Sequence, residues 1–315
     1  MSESKPGLLM LAPYPPADTE ALERDYTLHR LWEAPDAAAY LAEHGGRIRG
    51  LATTGVHGAS ASLIAALPAL EIISCFGVGV DAIDFPAARA RNIAVTNTPE
   101  VLTDDVADMG MALLLATARR IPEGDALVRG GLWTTTRLPL TTRVTGKRIG
   151  IVGLGRIGSA VAQRAAGFGM EIAYTDRAPI EGTRHTFHPD AVSLAGSVDF
   201  LMLCAAGGES TRGMIGRAVL DALGPRGMLI NICRGSVVDE PELLAALREK
   251  RIAAAGLDVF LNEPNIDPGF LTLNNVVLQP HHASGTVETR AAMGELVRGN
   301  LAAHFAGRAL PTPVV

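Results

Sequence analysis

The sequence predicts an α/β protein made of two doubly wound parallel-sheet domains. Three observations lead there. Short apolar runs alternate with longer Ala- and Leu-rich amphipathic segments, the pattern of strand–helix–strand units. The apolar runs are continuous and do not alternate with polar residues, so both faces of each sheet should be covered by helices. The 315 residues are too many for one small core and suit two domains of ordinary size.

The elements follow in order. GLLMLAP, IRGLATTG, LEIISCFG and IAVTNTP read as strands of a first sheet, with SASLIAALPA and AIDFPAARARN as helices between them. DDVADMGMALLLATARRIPEGDALVRGGLW, residues 104 to 133, reads as a long helix with Pro122 near its end or opening the next. Its length and apolar content suit a linking helix or a subunit interface. RIGIVGLG, MEIAYTD, DFLMLCAA, GMLINICR, AAAGLDVF and NVVLQP then read as strands of a second sheet.

Composition narrows the function. With 48% hydrophobic and 19% charged residues the chain should be globular and well buried. A net charge of −5 and the absence of any Lys/Arg run argue against nucleic acid as a partner. MSESKPGLLMLAPYPP has too short an apolar segment for a secretory leader, and MGMALLLATA covers only half a membrane span. A cytoplasmic protein with no membrane partner is expected. Cys75, Cys204 and Cys233 follow apolar residues at strand positions and read as buried reduced thiols. His185 and His188 read as part of a solvated loop, and His29, His44 and His304 as polar helical positions.

The strongest local signal is RIGIVGLGRIGSAVAQ. A strand leads into Gly153-Leu-Gly155-Arg156-Ile157-Gly158, and an amphipathic helix follows. Gly153 permits the tight turn, Gly155 lets backbone N–H groups approach a pyrophosphate, and Gly158 lets helix and strand pack closely. The helix N-terminus adds partial positive charge. An acidic residue, Asp176, ends the next strand at the spacing of the Rossmann dinucleotide fingerprint. Asp176 would accept from a ribose 2′-OH and favour NAD, whereas Arg177 beside it would grip a 2′-phosphate. The two point to opposite cofactors.

Three polar residues then follow the ends of apolar strands: Arg234 after LINIC, Glu263 after AGLDVFLN, and His281 after VVLQP. Ligands of an open parallel sheet bind beyond the carboxyl ends of its strands, so all three belong to the cofactor edge. Each suits hydride transfer at a carbonyl. A His–Glu pair supplies the proton, the carboxylate orienting the imidazole and favouring its charged form. An Arg binds a carboxylate and polarises the carbonyl. His281 is followed at once by His282. Successive side chains of an extended chain point to opposite sides, so a metal-binding pair is not expected.

GLGRIG, NICRGSVVDEPELLAAL, AGLDVFLNEP and LQPHHASGTVETR together resemble the D-isomer-specific 2-hydroxyacid dehydrogenase family, over essentially the whole chain. The resemblance implies Arg234 as substrate-binding and electrostatic catalyst, Glu263 as partner of the histidine, and His281 as general acid/base. It implies Asp258 as the holder of a nicotinamide carboxamide, with the Cys233 carbonyl nearby and Thr211 on the phosphate side. It further implies two Rossmann-like domains with a cleft between them. The substrate domain would be discontinuous, residues 1–98 and 285–315. The dinucleotide domain would be 99–284, with a dimerisation arm at about 104–145. ISCFGVGVDAID resembles the family's substrate loop, in which the N–H groups of Val78 and Gly79 cradle the substrate carboxylate. TTGVHG, with His57, should line the same cleft. Trp133 resembles a tryptophan that some glyoxylate/hydroxypyruvate reductases lend to a neighbouring subunit, with core packing as the other reading. Two departures are the Gly207-Gly208 run where the family often carries proline, and His282 where it often has an apolar residue, so that His282 reads as a packed or capping neighbour. Glu263 argues against formate dehydrogenases, which pair the histidine with Gln. Thr175 and Arg177 are similar to the run in NADPH-using glyoxylate reductases, so NADP is favoured over NAD. The expected activity is reduction of a small 2-ketoacid, glyoxylate or hydroxypyruvate first, to the D-2-hydroxyacid by a homodimer. The alternatives are a reductase for bulkier 2-ketoacids such as hydroxyphenylpyruvate, and a dinucleotide-sensing protein resembling the family's corepressors.

Overall fold

The computed structural model describes residues 5–314; Met1–Ser4 and Val315, which belong to the first predicted domain, lie outside the described residues. The chain divides into two compact units, Met1–Leu102 with Ser284–Val315, and Thr103–Ala283.

The first unit runs β1 (Gly7–Met10), α1 (Pro16–Asp25), β2 (Thr27–Arg30), α2 (Ala37–His44), β3 (Ile48–Thr54), α3 (Ala61–Ala66), β4 (Ile72–Phe76), α4 (Phe85–Ala90) and β5 (Ala94–Thr96). Its five strands are parallel, in the order β2-β1-β3-β4-β5. The chain therefore moves outward from β1 on one side, then returns to build on the other, which is double winding. The register sets Leu9, Leu51, Ile73 and Val95 in one row across four strands, all buried in the core. Asp36, Ser60 and Asp84 each accept first-turn N–H groups, which starts α2, α3 and α4 where they begin. β2 was not expected. It is a partly exposed edge strand, and His29, read as helical, sits on it with Nδ1 2.9 Å from the Tyr40 hydroxyl.

In the second unit the helix expected over 104–133 is two helices, α5 (Thr103–Arg119) and α6 (Ile121–Arg129). Arg120 between them is left-handed, with φ +52°, and Pro122 lies in the first turn of α6, where a missing N–H costs nothing. The unit continues with β6 (Arg148–Val152), α7 (Arg156–Gly167), β7 (Glu171–Thr175), β8 (Thr186–Phe187), α8 (Ala191–Ala195), β9 (Phe200–Leu203), α9 (Arg217–Leu223), β10 (Met228–Asn231), α10 (Glu240–Arg248), β11 (Ala254–Leu257) and β12 (Val276–Leu278). All seven strands are parallel, in the order β12-β11-β10-β9-β6-β7-β8. α5 lies on one face of this sheet: Gly110 rests on Ile232 and Met202, and Gly256 faces Leu113 and Thr117. β8 corrects the reading of RHTFH as a solvated loop. His185 and His188 flank a short edge strand and are half-buried, and burial lowers the His185 pKa.

The chain then returns to the first unit as α11 (Val287–Phe305), opened by Thr286 as N-cap and packed along β4. Gly294 on this helix leaves room for the buried Asp18 carboxylate, which pairs with Arg298. Among the described residues, no helix is long and apolar enough to cross a membrane.

Candidate active site

The strands of each sheet are parallel, so their carboxyl ends share one edge. In the second unit that edge carries nearly every residue the sequence singled out.

The loop after β6 is built as a cradle. Gly153 has φ +89°, and a Cβ there would stand 2.8 Å from the Ala205 backbone. A Cβ on Gly158 would overlap the Gly153 carbonyl oxygen, so the α7 backbone sits directly on the turn. Gly155 has nothing within 4 Å of where its Cβ would be, and the helix it starts has no side-chain cap. An open approach onto the uncapped first turn of a twelve-residue helix, Arg156 and Ile157 leading it, fits the pyrophosphate of a dinucleotide. Thr175 is buried at the end of β7. Asp176 is committed to the backbone: one carboxylate oxygen accepts from Leu154 N–H at 2.9 Å, the other from Arg177 N–H at 2.8 Å. The Arg177 side chain is exposed and, among the described residues, has no partner. Thr211 closes the loop after β9, its hydroxyl donating to the Ala206 carbonyl at 2.8 Å.

Arg234, Asp258 and His281 follow the ends of three adjacent strands, β10, β11 and β12. The His281 imidazole lies with Nδ1 2.6 Å from Glu263 Oε2. A carboxylate only accepts, so Nδ1 carries the proton and Nε2 is the nitrogen left for a ligand. Glu263 is held in turn, its other oxygen accepting from Phe260 N–H at 2.8 Å. Arg234 donates to the Cys233 carbonyl at 2.7 Å, so that carbonyl, expected near the cofactor, is engaged by the guanidinium. Asn231 shapes this turn. Its Oδ1 accepts from Cys233 N–H at 3.1 Å and its Nδ2 donates to the Arg234 carbonyl at 3.0 Å.

Asp258 is fully buried. Its carbonyl accepts from His281 N–H at 2.7 Å, and its carboxylate oxygens accept from His282 N–H at 2.8 Å and Ala283 N–H at 3.0 Å. Three successive N–H groups thus converge on one residue, the first on its carbonyl and the next two on its carboxylate. Burial raises the Asp258 pKa, with the neighbouring Glu263 charge adding to it, against the two N–H donors. This is the capping role of an aspartate, played toward the turn that carries the histidine. That turn corrects the expectation of an extended chain. His281 has φ +52°, a rare conformation for a residue with a side chain. His282 corrects another: its side chain is exposed, neither packed nor capping, and only its backbone is held.

Sequence reasoning missed Asn231 and Glu240. Asn231 accepting from the N–H two residues on is an Asx-turn, a signal readable in NIC. Glu240 left no such signal, because its partner is 21 residues away.

The first unit carries its own loops at strand ends. After β4, among the described residues, the Val78 and Gly79 N–H groups find no internal acceptor, while Asn97 holds the Val78 carbonyl at 2.9 Å. After β3, His57 is exposed, with Nδ1 2.8 Å from the Thr54 hydroxyl. None of the three cysteines forms a disulfide; Cys75 and Cys233 are buried and Cys204 is half-buried. Trp133 is 72% exposed, which removes the core-packing reading within this chain.

Residues 111–283 match the model of the D-isomer specific 2-hydroxyacid dehydrogenase, NAD binding domain. The chain belongs to this family. A D-isomer specific 2-hydroxyacid dehydrogenase is an NAD(P)-dependent oxidoreductase. Over 99% of both chains, the protein is 50% identical to the 2-ketogluconate reductase of Gluconobacter oxydans. It is 48% identical to the hydroxyphenylpyruvate reductase of Plectranthus scutellarioides, over 98% of this chain and 99% of that one. Among solved structures it is similar to the NADPH-dependent glyoxylate/hydroxypyruvate reductase of Sinorhizobium meliloti in complex with NADP and malonate. That similarity has a TM-score of 0.92 at 43% identity, covering 99% of this chain and 97% of that one.

Proposed function

We propose that this dehydrogenase works as a reductase of small 2-ketoacids, glyoxylate and hydroxypyruvate first, with NADPH preferred over NADH and the D-2-hydroxyacid as product. The observation that carries this reading is the His281–Glu263 pair, 2.6 Å apart, at the same sheet edge as Arg234 and the glycine cradle.

When bound, the nicotinamide supplies the hydride. His281 donates the proton that the carbonyl oxygen takes up as the hydroxyl forms. Its Nδ1 is tied to Glu263, so Nε2 faces the substrate and the carboxylate balances the imidazolium charge. Arg234 takes the substrate carboxylate and stabilises the negative charge growing on the carbonyl oxygen, a role in which a planar guanidinium exceeds a lysine. Val78 and Gly79, whose N–H groups lack internal acceptors among the described residues, are assigned as substrate-binding groups of the first unit. Asp258 sets the turn on which His281 sits, and its carboxamide contact to the cofactor is assigned with the Cys233 carbonyl beside it.

The NADPH preference rests on Asp176 and Arg177. Both Asp176 oxygens already accept from the backbone, while Arg177 is exposed and without a partner among the described residues, ready for a 2′-phosphate. The named activity of the similar Sinorhizobium meliloti reductase supports the same preference. The named substrate of the Plectranthus scutellarioides relative keeps bulkier 2-ketoacids in the test panel.

We also assign a homodimer in a cytoplasmic setting. Ile121, Val128, Leu132, Trp133 and Leu140 are all exposed along one stretch of chain, apolar side chains that a second copy would cover.

Initial rates on glyoxylate, hydroxypyruvate, hydroxyphenylpyruvate and 2-ketogluconate, each with NADPH and NADH, test the reading. The highest kcat/KM should fall on glyoxylate or hydroxypyruvate with NADPH. A strong NADH preference would overturn the cofactor assignment. Cofactor binding without turnover of any 2-ketoacid would favour a dinucleotide sensor.

A further inference from the structure

Glu240 is the first residue of α10, a position where a carboxylate suits the helix dipole but would ordinarily stay in water. Here it is only 7% exposed. Among the described residues it has no ion-pair partner, and its charged neighbours are the acids Glu263 and Asp267. Burial raises its pKa, those two charges add to the rise, and the Leu261 N–H opposes it. Such a position costs free energy, so what the carboxylate holds matters. Its Oε1 accepts from Leu261 N–H at 2.6 Å.

The Phe260–Leu261 peptide is held from a second side. A Cβ on Gly235 would overlap the Phe260 carbonyl group and the Leu261 nitrogen, so the Gly235 backbone lies flush against the peptide. The Leu261 side chain is 47% exposed and does not anchor the segment by packing. From this clamped peptide the contacts run directly to the chemistry. Phe260 N–H donates to Glu263, and Glu263 accepts from His281. Gly235 follows Arg234. One peptide therefore fixes the arginine turn and the glutamate turn relative to each other.

We propose that Glu240 is a positioning residue for the Glu263–His281 pair, holding the Phe260–Leu261 peptide against Gly235 so that Glu263 meets the imidazole. The proposal rests on the reading of His281 and Glu263 as the proton-donating pair. It concerns the acceptor oxygen of Glu240, not its charge, since only one hydrogen bond is at stake.

The test compares Glu240→Gln, Glu240→Asp and Glu240→Leu in the full-length protein. The readouts are kcat and KM for hydroxypyruvate, NADPH affinity by fluorescence, and Tm. Gln keeps an acceptor at the same reach, so kcat should stay within about threefold, while Asp and Leu, which cannot reach Leu261, should lose about 100-fold in kcat with KM and NADPH affinity little changed. Asp is the milder change should Leu fail to fold. Retained kcat in a folded Asp or Leu protein overturns the proposal. So does an equal loss in Gln, which would assign the effect to charge, or a rise in KM with kcat unchanged. Glu263→Gln and His281→Asn are measured in parallel. If both keep full kcat, the underlying reading fails and the proposal with it; if both lose it, the Glu240 result stands alone.

Discussion

Replacing Glu263 with Gln is the sharpest perturbation of the site, because it changes charge without changing shape. Glu263 accepts twice, from Phe260 N–H at 2.8 Å and from His281 Nδ1 at 2.6 Å. Gln has one acceptor oxygen and an NH2 group. If the oxygen stays on Phe260, the NH2 faces Nδ1, and the ring must turn Nδ1 into an acceptor and carry its proton on Nε2. The imidazolium then has no counter-charge. The bond removed is charge-assisted and largely shielded from water, since Glu263 exposes 15% and His281 33% of its side chain. Such a bond contributes about 1.5–3 kcal/mol, which is about 10- to 150-fold in rate. Steady-state reduction of hydroxypyruvate at saturating NADPH should show that loss in kcat, with NADPH affinity unchanged. A Glu263→Gln enzyme that kept its kcat would refute the argument that the carboxylate sustains the proton donor.

Other outcomes follow from the same geometry. Gly155→Ala has open space and an ordinary φ of −73°, so stability should shift by less than about 0.5 kcal/mol. Its NADPH affinity should nonetheless fall by about tenfold or more in a fluorescence titration, since the methyl stands where the anion approaches. Gly158→Ala should instead lose about 1–3 kcal/mol in chemical unfolding, because the Cβ overlaps the Gly153 carbonyl oxygen. The Glu71 carboxyl is held below its usual range by the Arg49 guanidinium first, with His304 adding to it. A depressed carboxyl contributes stability above the unfolded pKa and loses it as pH falls through the folded one. Glu71→Gln should therefore flatten the drop of Tm on acidification below about pH 5, and an unchanged slope would contradict the pairing. Trp133→Glu should convert the proposed dimer to a monomer in sedimentation velocity; a wild-type monomer at micromolar concentration would remove the premise.

The central strands were legible because they are covered on both faces, so burial wrote them as unbroken apolar runs such as LEIISC and DFLMLC. Of the four edge strands, β5 and β12 still read as apolar runs, whereas β2 and β8 did not: β2 is partly exposed, β8 is two residues long, and TLHR and TF carry no run that periodicity can detect. The positions of the glycine turn and of Arg234, Glu263 and His281 were readable because each follows an apolar run that marks a parallel strand. What could not be read was how those residues are held. Asn231 acts within its own turn and was within reach of inspection. Glu240 reaches Leu261 across 21 residues, and nothing in VVDEPE distinguishes a buried first-turn glutamate from a solvated one. The turn at His281 failed for a different reason. The choice of a left-handed backbone there is imposed by Asp258, a partner on another strand.

Asp258 has a consequence for the residue after the His281 imidazole. It grips position 282 by the main chain alone and leaves the side chain in solvent. That site is therefore permissive in chemistry yet strict in backbone. Alanine, lysine or phenylalanine should be accommodated there at little loss, and a tag or dye attached through an engineered side chain should leave the neighbouring imidazole in place. Proline is the exception, because it brings no N–H for the aspartate to receive.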